Sequence, residues 1–275
     1  MCRSEYVSRV ITRVQVELHR LPRQAAAALV IPTTHAAVPE LLSALEAEAG
    51  EFLSAFEGMS ANALEAAFTH NRRLRNPFPS DELPAYAVLV ELASNIQAEQ
   101  VDLPDLLTQL LGRLMEQHDP LVKDACFGRP EDFWAIRHSI SDGLGAYGAV
   151  VGFDIAVARS QLPALRAELI ALLAEHYPGL RICDFGHCGD GGDHFNLVWP
   201  RESGPYDAGV VEAARQLVYD RVVRGYGGSF SAEHDVGPHN IAYYRRYADP
   251  AERLLAKGLK RVCDPKGLLS RVDFG

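Results

Sequence analysis

The 275-residue chain is 48% hydrophobic and carries 27 lysines and arginines against 36 acidic residues, a formal net charge of −9. That composition supports a sizeable buried core in one large domain or two small ones, while the acidic balance argues against nucleic acid or an anionic membrane surface as the main partner. Five scattered cysteines with no C-x-x-C spacing indicate neither a disulfide framework nor a cysteine zinc site, so a reducing, cytoplasmic setting is expected.

Residues 7–21, VSRVITRVQVELHRL, alternate apolar and polar positions as a half-buried strand does. The preceding start has no apolar core of the kind a secretory leader needs, so no signal peptide is expected. A second strand follows over 26–32. Helical spacing covers 38–50, a strand 51–59, and a helix begins after Ser60, a suitable N-cap. The polar, proline-rich segment 71–84 is expected to be a long loop. The elements then continue as strand 85–93, helix 103–118, strand 121–127 and helix 130–144. The longest apolar runs, AAAALVIP and AVLVELA, are far shorter than the roughly 20 residues a membrane-spanning helix requires.

A second series follows: strand 149–158, helix 160–177, strands 180–187 and 194–200, helix 206–224 and strand 228–234. This is the βαββαβ order of ferredoxin-like units. The first half approximates the same order with an added helix and loop. The expected fold is therefore α+β, with two ferredoxin-like units (1–145 and 146–236) fused into one antiparallel sheet and helices packed on one side. A C-terminal helical segment, 237–275, would contain a helix over 240–264 broken at Pro250.

GLGAYG at 143–148 matches a dinucleotide-binding glycine pattern by letters, but a helix precedes it and a strand follows, the reverse of what that site needs, so a turn is expected. GDGG at 189–192 has the look of a calcium-binding repeat but occurs once, and such arrays need repetition.

FGHCGDGGDHFNLVWP, residues 185–200, carries more information. A hairpin centred between Asp190 and Gly191 would set His187 opposite His194 with Cβ atoms about 5 Å apart, near enough to share a metal ion, and Asn196 would point to the same face. A polar turn decorated with histidines fits the segment equally well. A third ligand would separate the two readings. Glu233 and His234 follow the small-residue stretch GGSFSA, which allows a close approach of backbone or ligand, although they also fit an exposed loop. His187, His194 and Glu233 would offer two imidazoles and one carboxylate, a set suited to zinc, manganese or iron with open positions. Arg137 and Ser141 lie one helical turn apart, on one face, where the guanidinium either grips a carboxylate or is simply solvated.

Taken together, VITRVQVELHRLP, FLSAFEGMS, FWAIRHSIS, GHCGDGGDHFN, GSFSAEHDVG and DPKGLL resemble, in order and spacing, the C-terminal substrate-binding domain of FAD-linked oxidases acting on 2-hydroxy acids, such as D-lactate, glycolate and D-2-hydroxyglutarate dehydrogenases. The resemblance implies that His187, His194 and Glu233 bind a divalent metal and that His234 is the catalytic base. Arg137, Ser141 and Asn196 would line the substrate pocket. A 2-hydroxy acid held there would lose its hydroxyl proton to His234 and its α-hydride to flavin. FAD in such enzymes is held mainly by a separate N-terminal domain, so the chain is expected to work with an FAD-binding domain or subunit outside itself. The pattern is departed from at Gly152, where a lysine is usual, at Gly192, at Asp235 and in the tail SRVDFG. The same residues would also suit a non-catalytic interaction module that keeps its ligands structurally, or a stand-alone metal hydrolase.

Overall fold

The computed structural model describes residues 11–80, 82–234 and 236–269. Its centre is one antiparallel sheet built from β1 (Gln24–Pro32), β2 (Leu53–Ser60), β3 (Tyr86–Ser94), β4 (Val122–Gly128), β5 (Gly148–Val151), β6 (Ile155–Ala156), β7 (Arg181–Gly186) and β8 (Gly192–Pro200). Their spatial order is β4-β1-β3-β2-β7-β8-β5, with β6 also on β8. The first four strands thus follow the ferredoxin-like order, and the second set repeats it outward from the β2–β7 seam. At that seam Gly58 pairs with Gly186 and Met59 with Phe185.

Alternation along β1 explains the layering, because successive side chains leave opposite faces of a sheet. Ala26, Ala28 and Val30 face one core, shared with α1 (Val38–Ala49), α3 (Leu103–Glu116), α5 (Leu162–His176) and α6 (Ala208–Asp220). Ala27 and Leu29 face a second core formed with α2 (Ala61–His70) and α4 (Pro130–Tyr147). The α+β antiparallel architecture is as expected. The layering differs: helices cover both faces, since α2, between β2 and β3, and α4, which runs from edge strand β4 to edge strand β5, pack on the side opposite α1, α3, α5 and α6, and a strand buried on both faces needs both covers.

Local signals account for most boundaries. Ser60 caps α2 by accepting the Ala63 N–H at 3.4 Å. Pro250 opens α8 (Pro250–Cys263) behind Asp249, which separates it from α7 (Gly237–Tyr247) as expected. Residues 71–80 and 82–84 form no helix or strand, in keeping with the expected loop. No helix among the described residues is long and apolar enough to cross a membrane.

Several sequence expectations fail. Of the strand expected over 7–21, residues 7–10 lie outside the described residues and 11–21 form no strand; Val14 and Leu18 stand exposed. Alternation there specifies a face, but no neighbouring strand supplies the hydrogen bonds. The strand expected at 149–158 is broken into β5 and β6 around Gly152-Phe153-Asp154, and 228–234 contributes only two isolated bridges, Ala156 with Ser229 and Asp154 with Ser231. GLGAYG is not a turn: it ends α4 and enters β5. Gly143 lies within that helix, where α2 packs so close that a Cβ would sit 2.4 Å from the Ala66 carbonyl oxygen.

Candidate functional site

The site grows from the β2–β7 seam, on the face covered by α4. β7 and β8 form a hairpin whose register places His194 opposite Phe185 rather than opposite His187. The connection is longer than expected: the His187 carbonyl accepts N–H bonds from Asp190 (3.0 Å) and Gly192 (3.2 Å), and Gly191 takes a φ of +90°. A register error of two residues keeps the same face, so the consequence survives. The His187 and His194 rings are 5.3 Å apart, and Asn196 lies two residues beyond His194 with its amide donating to the His194 carbonyl at 2.9 Å.

Glu233 reaches this pair by a route that strand pairing alone does not provide. A π-helical turn, Arg221–Gly225, ends α6, after which Gly228 passes so close to β6 that a Cβ would be 2.4 Å from the Ala156 oxygen. Ser229 and Ala156 then exchange backbone bonds at 2.8 and 3.1 Å. Buried Asp154 holds the following loop, its Oδ2 accepting the N–H groups of Glu233 at 2.8 Å and His234 at 2.6 Å. As a result Glu233 Oε1 lies 3.5 Å from His187 Nε2 and 3.4 Å from His194 Nε2. The three ligand atoms all fall within 4.8 Å of one another. A tetrahedral ion with bonds of about 2.1 Å sets its ligand atoms about 3.4 Å apart, so the donor set fits a divalent metal.

His234 stacks on His194, with centroids 5.3 Å apart, and its Nε2 is 3.7 Å from Glu233 Oε1. Arg137 is buried on α4 with its guanidinium 4.5 Å over the Phe185 ring. Arg137, Ser141, His194, Asn196 and His234 all line one cavity of about 350 Å³. Every residue expected at the site is therefore brought to this one region, although His187 and Glu233 stand at its edge.

Two residues were not anticipated. Glu57 on β2, 7% exposed, receives the Arg137 Nε–H at 3.0 Å on one oxygen and lies 2.7 Å from His187 Nδ1 on the other. Burial alone would raise its pKa, but the His187 hydrogen bond and the Arg137 charge outweigh burial and hold it below the usual carboxylate range. The same bond raises His187, and burial together with Arg137 lowers His194. With Nδ1 engaged by Glu57, His187 presents Nε2 toward Glu233. Its signal in the sequence is a lone carboxylate inside an apolar strand, FLSAFEGMS. Asp154, the second, has a similar signal in GFDIAV.

The fold defines the class: an α+β domain with an open antiparallel sheet, in which His187, His194 and Glu233 cluster near the β2–β7 seam. The chain belongs to the family of FAD linked oxidases, C-terminal domain, whose model matches residues 21–272. It is similar to a D-2-hydroxyglutarate dehydrogenase of Xanthomonas citri pv. viticola, 30% identical over 79% of this chain and 45% of that protein. The mitochondrial D-2-hydroxyglutarate dehydrogenase of Bos taurus is 31% identical over 97% of this chain and 47% of its own length. The chain thus spans just under half the length of these relatives. Among solved structures, p-cresol methylhydroxylase with substrate bound shares the fold, with a TM-score of 0.65 at 15% identity, covering 92% of this chain and 53% of that one.

Proposed function

We propose that this chain is the substrate-binding part of a flavin-dependent 2-hydroxy-acid dehydrogenase or oxidase, which converts the substrate hydroxyl to a keto group with hydride transfer to FAD held by another domain or subunit. One observation carries the reading: His187, His194 and Glu233 converge at the edge of a cavity that Arg137, His194 and His234 line together. Family membership and the names of the dehydrogenase relatives support the flavin and the substrate class. The division into 1–145, 146–236 and 237–275 is proposed with it, supported by the repeated strand order.

Each residue then has a task. His187, His194 and Glu233 would hold a zinc, manganese or iron ion, which when bound supplies the positive charge that favours the alkoxide form of a hydroxyl group. FAD, when bound beside the site, supplies the two-electron acceptor. Arg137 gives its Nε to Glu57 and keeps both Nη groups for a substrate carboxylate, a bidentate arrangement. Ser141 and Asn196 add neutral polar contacts in the same cavity. His234, adjoining Glu233 and open to solvent, takes the hydroxyl proton and passes it to water. A reducing, cytoplasmic setting accompanies this reading, supported by Cys126, Cys183, Cys188 and Cys263 standing as free thiols.

The test is elemental analysis of the purified chain after supplementation with zinc, manganese and iron. About one equivalent is expected, lost in the His187→Ala, His194→Ala double variant. Metal-free wild type, or unchanged content in the double variant, refutes the site. Oxidation of 2-hydroxy acids on adding a flavin-binding partner supports the enzyme, whereas hydrolytic turnover without flavin points to a metal hydrolase. A docking role is favoured by α8, which exposes Leu254, Leu255, Leu259 and Val262.

A further inference from the structure

The β2–β7 ladder ends at Met59 and Phe185; beyond it β2 turns into α2, while β7 continues back to Arg181. There the seam opens into a second cavity of about 680 Å³, a size that small-molecule sites have. It shares no lining residue with the cavity beside Arg137. Asp184 and Phe185 are consecutive on β7, so their side chains leave opposite faces of the sheet: Phe185 lines the first cavity and Asp184 the second.

Much of the second cavity is apolar. α5 buries Leu162, Leu165, Leu169 and Leu173 in the core, and a separate stripe at helical spacing, Arg166, Ile170 and Ala174, lines the cavity. Leu180 and Ile182, at the entry to β7, and Pro200, at the end of β8, add to the same lining.

The charges that line it are two guanidiniums, Arg166 and Arg181, against one carboxylate, Asp184. Arg166 donates from Nε and Nη2 to the two Asp184 oxygens at 2.5 and 3.1 Å, so that pair is neutral. Arg181 donates from Nη2 to Asn62 Oδ1 at 3.0 Å and to Glu65, an exposed acid outside the lining, while its Nε and Nη1 make no hydrogen bond among the described residues. Ser60, Ala61 and Asn62, where α2 begins, also line the cavity, and the start of a helix carries partial positive charge. A cation is repelled here, and a wholly apolar molecule leaves the Arg181 donors unused. An apolar body ending in a carboxylate uses both the lining and the charge.

We propose that this cavity binds an amphipathic carboxylate, an acyl or aryl body whose carboxylate pairs with Arg181, at a site separate from the pocket beside Arg137. Octanoate, octanamide and octylammonium share a chain length, differ in charge and test it by calorimetric titration into the full chain without added metal. Octanoate is expected to bind at least about tenfold tighter than octanamide, with octylammonium weakest. Arg181→Met should weaken octanoate at least about tenfold and change octanamide by less than about threefold. Ile170→Trp, which fills the cavity, should weaken both and serves as the test if Arg181→Met does not fold. No octanoate binding, a preference for octanamide or octylammonium, or unchanged octanoate affinity in a folded variant, which would place the ligand elsewhere, overturns the proposal.

Discussion

Glu57→Gln is the most informative single substitution, because one buried carboxylate joins Arg137, the proposed substrate anchor, to His187 of the proposed metal site. Its side chain and that of Arg137 are 9% and 10% exposed, with Arg137 Nε at 3.0 Å and His187 Nδ1 at 2.7 Å from its two oxygens. The amide keeps the shape but not the charge, so a buried guanidinium loses its counter-ion, at a cost of about 3 kcal/mol. The amide also offers one oxygen where two donors, Arg137 Nε–H and His187 Nδ1–H, need acceptors, which frees the His187 ring. Loss of such an outer partner typically weakens a metal site by about 10- to 100-fold, or about 1.4 to 2.8 kcal/mol. Two assays read these effects separately: urea unfolding of the metal-free chain, and zinc titration against a chromophoric chelator without denaturant. A folded Glu57→Gln chain with wild-type zinc affinity and less than about 1 kcal/mol of lost stability would refute the bridging role.

Three further outcomes are expected. Gly143→Ala drives a Cβ to within 2.4 Å of the Ala66 oxygen, so urea unfolding should register about 1–3 kcal/mol of destabilisation despite alanine's better helix propensity; a stabilised variant would contradict the close α2–α4 contact. Gly191→Ala combines a φ of +90° with a Cβ 2.1 Å from the Val157 oxygen, and should cost about 2 kcal/mol or more while lowering zinc affinity. Unchanged affinity would mean that the turn does not set the histidines. The third concerns His35, whose pKa is lowered from 6.5 to about 4 by burial and by Arg166. The unfolded chain takes up this proton first, so the stability this group contributes is complete above pH 6.5 and declines as pH falls toward 4, by up to about 3 kcal/mol. Unfolding curves across that range should flatten in His35→Phe, and an equal slope in both chains would contradict the assignment.

How much of this was legible in the sequence varies with the range of the interaction. Caps and breakers act within a few residues, so Ser60, Pro250 and the loop after residue 70 could be read directly. The apparent strand at 11–21 failed because pairing needs a partner and periodicity does not supply one. The hairpin register failed by two residues because turn length depends on backbone conformation, here the left-handed Gly191. His187 and His194 still met, because a shift of two residues preserves the face.

The sequence by itself determined the donor inventory and its local placement: two imidazoles flanking a glycine turn, a carboxylate beside a third histidine, and an arginine one helical turn from Ser141. The family resemblance grouped them, but only the tertiary structure shows the contacts that bring them together. Glu57 and His187 are separated by 130 positions and meet because β2 and β7 pair at the seam. Glu233 arrives because Asp154, 79 positions earlier, captures its backbone amide. Buried carboxylates act over distances of ångströms, while the chain records only order, so their partners emerge once the sheet has closed the long loops between them.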